Sequence, residues 1–121
     1  MTAAALYLLT PNHEAVLESA AAIVQTRLAN GPIVNFFLGV FCGVLMFVAV
    51  TGYSESRNFL FTYIPVAVFI LCGFNHCIAD MMYLHLGAAH WQDYIVLLPT
   101  TLGNAVGAIG FNYMLKFCRT M

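Results

Sequence analysis

The stretch Gly73-Phe74-Asn75-His76-Cys77-Ile78-Ala79-Asp80 interrupts a long apolar segment, Asn58–Leu86. As one straight helix this segment would be about 43 Å long, which exceeds a hydrocarbon core of about 30 Å. A break at Gly73 removes the mismatch and predicts two half-helices, Phe59–Cys72 and Ile78–Leu86. Unwound backbone inside a membrane is tolerated only where protein or water surrounds it. The interruption therefore predicts a functional centre.

The composition identifies lipid as the solvent for most of the surface. The chain has 121 residues, of which 62% are hydrophobic and 7% charged, against about 25% charged residues in ordinary globular proteins. We therefore predict one all-α integral membrane domain covering residues 1–121. The net charge of −1 argues against a nucleic-acid partner, which requires clustered Lys and Arg.

Three apolar windows are long enough to cross a bilayer: Pro32–Tyr53, the interrupted Asn58–Leu86, and Tyr94–Leu115. Residues 12–30 precede them and predict an interfacial helix. Asn12 is its expected N-cap, and Asn30-Gly31-Pro32 is its expected end.

The basic residues predict the orientation. With the C-terminus in the cytoplasm, Arg57, Lys116 and Arg119 lie inside and only Arg27 lies outside, in agreement with the positive-inside rule. We expect a multi-pass protein of the inner (plasma) membrane.

His76 is the residue in the break with the most versatile chemistry. The second half-helix directs the positive end of its dipole towards the middle of the membrane, which attracts anions, and paired half-helices mark substrate sites in transporters. An imidazole with an intrinsic pKa near 6.5 can attract an anion or give it a proton. The alternative is a neutral histidine that ties two helices together.

The break predicts neither a metal centre nor an enzyme. His76 and Asp80 have i, i+4 spacing on a helix, but no third ligand has suitable spacing. We expect no cofactor, and no nucleophile or acid–base pair for covalent catalysis is evident. The chain is therefore predicted not to be an enzyme.

Three motifs are similar to those of the formate/nitrite transporter family. Residues 73–81 resemble the family signature GFEHSIANM, residues 101–107 resemble TLGNxxGG in its last helix, and residues 65–69 match PVAMF. The order and spacing of the motifs also agree. The resemblance covers the end of the third family helix through the sixth.

The resemblance implies an aquaporin-like fold of two inverted three-helix repeats in each protomer, assembled as a pentamer, of which this chain is one half. It implies small monovalent anions as substrates: formate, nitrite, hydrosulfide and lactate. His76 corresponds to the central pore histidine, and Phe69 falls on the cytoplasmic-side apolar constriction. Arg27 occupies the position of a lysine on the outer approach, and Asn104 is a candidate for a bond between helices.

The chain departs from the family pattern at three positions. The glutamate before the histidine is Asn75, and the asparagine four residues after it is Asp80. We hypothesise that these side chains touch, so that the local charge is kept. The asparagine that bonds the histidine in the family falls on Gly43, which cannot do so. For Gly43, and for the pair Gly103 and Gly107, close helix packing is the simpler interpretation.

The first family repeat has no counterpart in this sequence, which predicts a half-transporter needing a partner chain for the opposite wall, or a truncated product. Two other functions stay open. One is a haem-binding anchor subunit of a respiratory oxidoreductase, with His76 as axial ligand; the other is a nonfunctional membrane fragment.

Overall fold

The computed structural model describes residues 13–87 and 90–121, and these fold into helices joined by short turns. The helices are α1 (His13–Ser56), α2 (Leu60–Cys72), α3 (Cys77–Leu86) and α4 (Leu97–Thr120), with a 3-10 helix at Trp91–Val96 ahead of α4. The all-helical prediction is confirmed for this part of the chain.

Two of the helical stretches are long and apolar enough to cross a membrane, Glu14–Ser56 and Trp91–Thr120. The helices α2 and α3 pass the same test together, and they are bent by 47° at the break between them. If this bent pair counts as one crossing, the described residues hold three spans, as the sequence predicts. The break after Cys72 is confirmed, although α3 begins one residue earlier than expected, at Cys77.

The helix α1 is bent at Gly31, whose φ of 74° and ψ of 168° are not helical. The sequence predicts that an N-terminal helix stops here, but the chain resumes its helix at once. Pro32 explains the restart, because a proline is tolerated in a first helical turn, where its missing N–H has no partner to lose. The expected interfacial helix and the first crossing are thus two arms of one bent α1. Asn12, the expected N-cap, lies outside the described residues.

Glycines bring α1 and α4 into backbone contact. A Cβ atom added at Gly103 would overlap the Phe36 carbonyl oxygen, and one at Gly43 would overlap the Asn104 carbonyl oxygen. Gly107 lies against the Val40 carbonyl in the same way. Small residues permit this close approach of helices inside a membrane, so the packing interpretation of these glycines is confirmed.

A small apolar cluster joins α1, α3 and the 3-10 helix. Val24 of α1, Leu84 of α3 and Val96 of the 3-10 helix are buried against one another. The cluster joins the first arm of α1 to α3, and it thereby holds α3 beside the arm that carries Arg27.

We expect Gly107→Ala to lower the thermal unfolding temperature of the chain in detergent, because the added methyl group meets the α1 backbone. Overpacking of this kind costs about 1–3 kcal/mol. Gly110→Ala is the matched control, since a Cβ at Gly110 has no heavy atom within 4 Å. An unfolding temperature for Gly107→Ala equal to or above that of Gly110→Ala would contradict the packing described here.

Candidate functional site

The break between α2 and α3 begins with a left-handed glycine. Gly73 has φ 65° and ψ 31°, and its N–H donates to the carbonyls of Ile70 and Phe69 at the end of α2. A Cβ at Gly73 would have no heavy atom within 4 Å, so the backbone angle, and not the available space, favours glycine at this position. The ring of Phe74 then stacks on Phe41 of α1, with 5.7 Å between the ring centroids.

His76 is the N-cap of α3. Its backbone is extended, and its Nδ1 accepts a hydrogen bond of 3.3 Å from the N–H of Ile78. A histidine that accepts at Nδ1 carries the proton of its neutral form on Nε2. The half-buried ring lies 5.9 Å, centroid to centroid, from the ring of Phe69 in α2. The break therefore presents an N–H donor beside an aromatic surface, at the positive end of a helix dipole.

Arg27 connects the two helix ends across the break. Its Nη1 donates to the Gly73 carbonyl at 3.0 Å, and its Nε lies 3.3 Å from Oδ1 of Asp80. The guanidinium thus meets the negative end of α2, and the carboxylate lies in the first turn of α3, where a negative charge is favourable. The side chains are only 13% and 3% exposed. A positive charge and a negative charge are therefore buried together at the break.

Three asparagines form a continuous chain of hydrogen bonds around the break. The amide of Asn35 donates to the Arg27 carbonyl at 2.8 Å, and its Oδ1 accepts from the amide of Asn75, also at 2.8 Å. Asn104 of α4 donates to the Asn75 carbonyl at 2.9 Å. The same Asn104 amide contacts the carbonyls of Gly39 and Thr100. The loop is therefore bonded to both α1 and α4.

The structure brings the sequence-predicted site residues into one region. Asn75 and His76 lie in the break, and Asp80 lies in the first turn of α3 after it. Arg27 and Asn104 bond to the break, and Phe69 packs against His76. The resemblance implies that Arg27 is a cation on the outer approach, and in the structure its charge is paired with Asp80. Their roles in a pathway stay predictions.

The hypothesis that Asn75 and Asp80 touch finds no hydrogen bond to support it within the described residues. Asn75 bonds Asn35, and Asp80 pairs with Arg27. Asn75 lies in the non-helical break, whereas Asp80 lies in the first turn of α3. Their side chains therefore face different neighbours. The acid and the amide thus have separate partners.

Asn35 is the site residue that sequence reasoning missed. It is fully buried and lies within the uncharged window Pro32–Tyr53. The available signal was its polarity, because an amide inside a membrane span requires a partner. His76, in turn, obtains its bond from Ile78 of its own helix. This agrees with the expectation that Gly43 cannot supply it.

We expect Arg27→Gln to destabilise the chain by about 3–5 kcal/mol, because it leaves the Asp80 carboxylate buried without a cation. The double variant Arg27→Gln/Asp80→Asn should recover most of this loss in a thermal unfolding experiment in detergent. Arg119→Gln breaks an exposed ion pair with Glu55 and should cost less than about 1 kcal/mol. A double variant no more stable than Arg27→Gln alone would contradict the pairing.

Comparison with known proteins gives two matches. A family profile described as Formate/nitrite transporter matches residues 1–118. The chain is also similar to the formate channel FocA of Haemophilus influenzae, with 31% identity over an alignment that covers 60% of this chain and 36% of the relative. The chain thus aligns with about a third of that relative's length. No solved structure matches.

The haem-anchor alternative is not supported. An anchor of that kind is expected to carry its histidine on an unbroken helix, whereas His76 stands at the start of α3, directly after the break. The matching family is one of transporters, which also agrees with the prediction that the chain is not an enzyme.

Proposed function

The chain belongs to the formate/nitrite transporter family, and we propose on this premise that it forms one wall of a pathway for small monovalent anions, with His76 at its centre. Formate, nitrite and hydrosulfide are the proposed substrate class. The observation that carries the proposal is the break between α2 and α3, which combines a histidine, a helix N-terminus and an aromatic ring in one place.

The chemistry of the break suits an anion that has lost its water. Moving an unpaired anion into an apolar space is costly, and the N-terminus of α3 offers partial positive charge to offset that cost. Nε2 of the neutral His76 ring adds a hydrogen-bond donor. Protonation of the ring at Nδ1 would release the Ile78 N–H, so a charged His76 and an uncapped α3 occur together. Phe69 forms the apolar side of the proposed constriction.

The approach to this wall carries two opposite charges and two neutral amides. Arg27 is paired with Asp80, and the bonds of Asn75 and Asn104 hold the loop in place. We propose that these four residues line or support the pathway. Asn104 also bonds between helices, and this structural bond is itself the means by which it would support the pathway.

The opposite wall is proposed to come from a first three-helix repeat of inverted orientation, in the same polypeptide or in a partner chain. The complete protomer would be aquaporin-like, and the assembly a pentamer in the inner (plasma) membrane. These features follow from the family resemblance, and the alignment covers 36% of the FocA relative, which leaves room in that relative for a further repeat.

Flux measurements test the role of His76. In formate-loaded vesicles, we expect no flux from this chain alone, and flux when it is reconstituted with a second chain comprising the first three helices of the Haemophilus relative. His76→Ala should reduce that flux about 100-fold, the scale of losing a group that handles a proton. His90→Gln, at an exposed position, is the matched control and should leave it unchanged.

Each outcome of this experiment bears on a different part of the proposal. Robust flux from the chain alone would overturn the proposed second wall, and flux unaffected by His76→Ala would overturn the role of the histidine. No flux in any combination would favour the alternative of a nonfunctional fragment.

Labelling of Cys118 tests the orientation. Arg119 of α4 and Glu55 of α1 form an ion pair of 2.6 Å, so the ends of these helices lie together with Arg57, and the positive-inside rule places them in the cytoplasm. In a variant that keeps only Cys118, an exposed cysteine, we expect a membrane-impermeant maleimide to react in inside-out vesicles and not in intact cells. The reverse pattern would show the opposite orientation.

A further inference from the structure

Asn35 closes the bend in α1. At the bend, Gly31 leaves the helical conformation, and Pro32 has no N–H to offer the Leu28 carbonyl, four residues earlier. One residue before Leu28, the Arg27 carbonyl accepts a hydrogen bond of 2.8 Å from the side-chain amide of Asn35. This bond joins the two arms of α1 across Gly31, from Arg27 to Asn35, and it therefore stabilises the bent form of α1.

The other end of the same side chain reaches the break. Oδ1 of Asn35 accepts from Nδ2 of Asn75 at 2.8 Å, and both side chains are fully buried. Oδ1 of Asn75 has no hydrogen-bond partner among the described residues. The bond to Asn35 is therefore the one that anchors the Asn75 side chain there.

Asn75 is held from two directions directly before the histidine. Its side chain is fixed by Asn35 of α1, and its backbone carbonyl accepts from Asn104 of α4. The next residue, His76, must keep an extended backbone for its ring to cap α3. A fixed Asn75 thus restricts the direction in which the His76 ring can leave the chain.

We propose that Asn35 is a positioning residue for His76 and acts through Asn75, a role that rests on the proposed function of His76 as the pathway histidine. Gly43, which by the family resemblance corresponds to the histidine-bonding asparagine, has no side chain for the task. In this chain an asparagine two helical turns earlier in α1 holds the neighbour of the histidine. Asn35 does not contact His76 itself, but it fixes Asn75, the residue directly before it.

The proposal predicts a change in the His76 ring when Asn35 is removed. In the full chain in lipid nanodiscs, with ¹⁵N-labelled histidine, we expect Asn35→Ala to move the His76 ring nitrogen signals and to alter their pH titration. The signals of His85 and His90 should stay in place. His76→Gln assigns the signals. Thr100→Val is the control, because Thr100 is equally buried but its hydroxyl bonds the Val96 carbonyl, one turn earlier, and not the break.

A double variant separates a positioning role from general loosening of the fold. If Asn35 acts through Asn75, then Asn75→Ala should give the same His76 spectrum as Asn35→Ala, and the double variant should match either single one. Additive changes, or shifts at all the histidines, would overturn the proposal. An unchanged His76 signal in Asn35→Ala would overturn it as well.

A measurement on the wild-type chain covers the case in which Asn35→Ala does not fold. The side-chain amide protons of Asn75 should exchange with solvent at least about tenfold more slowly than those of exposed Asn58, as expected for a buried hydrogen bond. Equal exchange rates would overturn the anchoring by Asn35.

Measurements of formate flux give a second, independent test of the role of Asn35. In vesicles that hold this chain and the complementary three-helix chain, Asn35→Ala should lower formate flux about tenfold, the scale expected for one buried hydrogen bond, and should add nothing to His76→Ala. If the wild-type pair shows no flux, the proposed function fails, while the histidine spectra still decide the role of Asn35. Wild-type flux that Asn35→Ala leaves unchanged would overturn the positioning role alone.

Discussion

Inside a bilayer, every backbone N–H and C=O group has to find its partner within the protein, and this chain interrupts its helices at two neighbouring points. Arg27 makes a hydrogen bond at each of them, the bend at Gly31 and the break at Gly73. The Arg27 carbonyl takes the amide of Asn35, while its guanidinium donates to the Gly73 carbonyl. The two interruptions therefore stabilise each other.

The exchange of acid and amide around the histidine has a physical rationale in these contacts. Asp80 lies next to a cation in the first turn of α3, where both the ion pair and the helix dipole stabilise its charge. Asn75 lies beside another neutral amide, in a fully buried position. A carboxylate at position 75 would meet Asn35 and not Arg27. The sequence thus keeps one carboxylate at the break and gives it the neighbour that can neutralise it.

The sequence predicted the features of the fold that depend on local pattern. Apolar windows gave the crossings, the glycine at position 73 gave the break, and the small residues of α4 gave its close packing. The continuity of α1 through Gly31 was missed, because a Gly-Pro pair signals a helix end as strongly as a bend. Asn35 and the pairing of Arg27 with Asp80 were missed for another reason. Their partners lie 40 and 53 positions away along the chain, and spacing carries no information at that distance.

The glycine contacts make α1 and α4 the most closely packed pair of helices in the described part of the chain. Because the two backbones touch at these glycines, one helix cannot slide along the other without a steric clash. We therefore expect α1 and α4 to keep a fixed position relative to each other. At the break, α2 and α3 are held beside this pair through side chains, by hydrogen bonds, an ion pair and one stacked pair of rings. If the proposed pathway opens and closes, we therefore expect the displacement to fall on α2 and α3 and not on the α1–α4 pair.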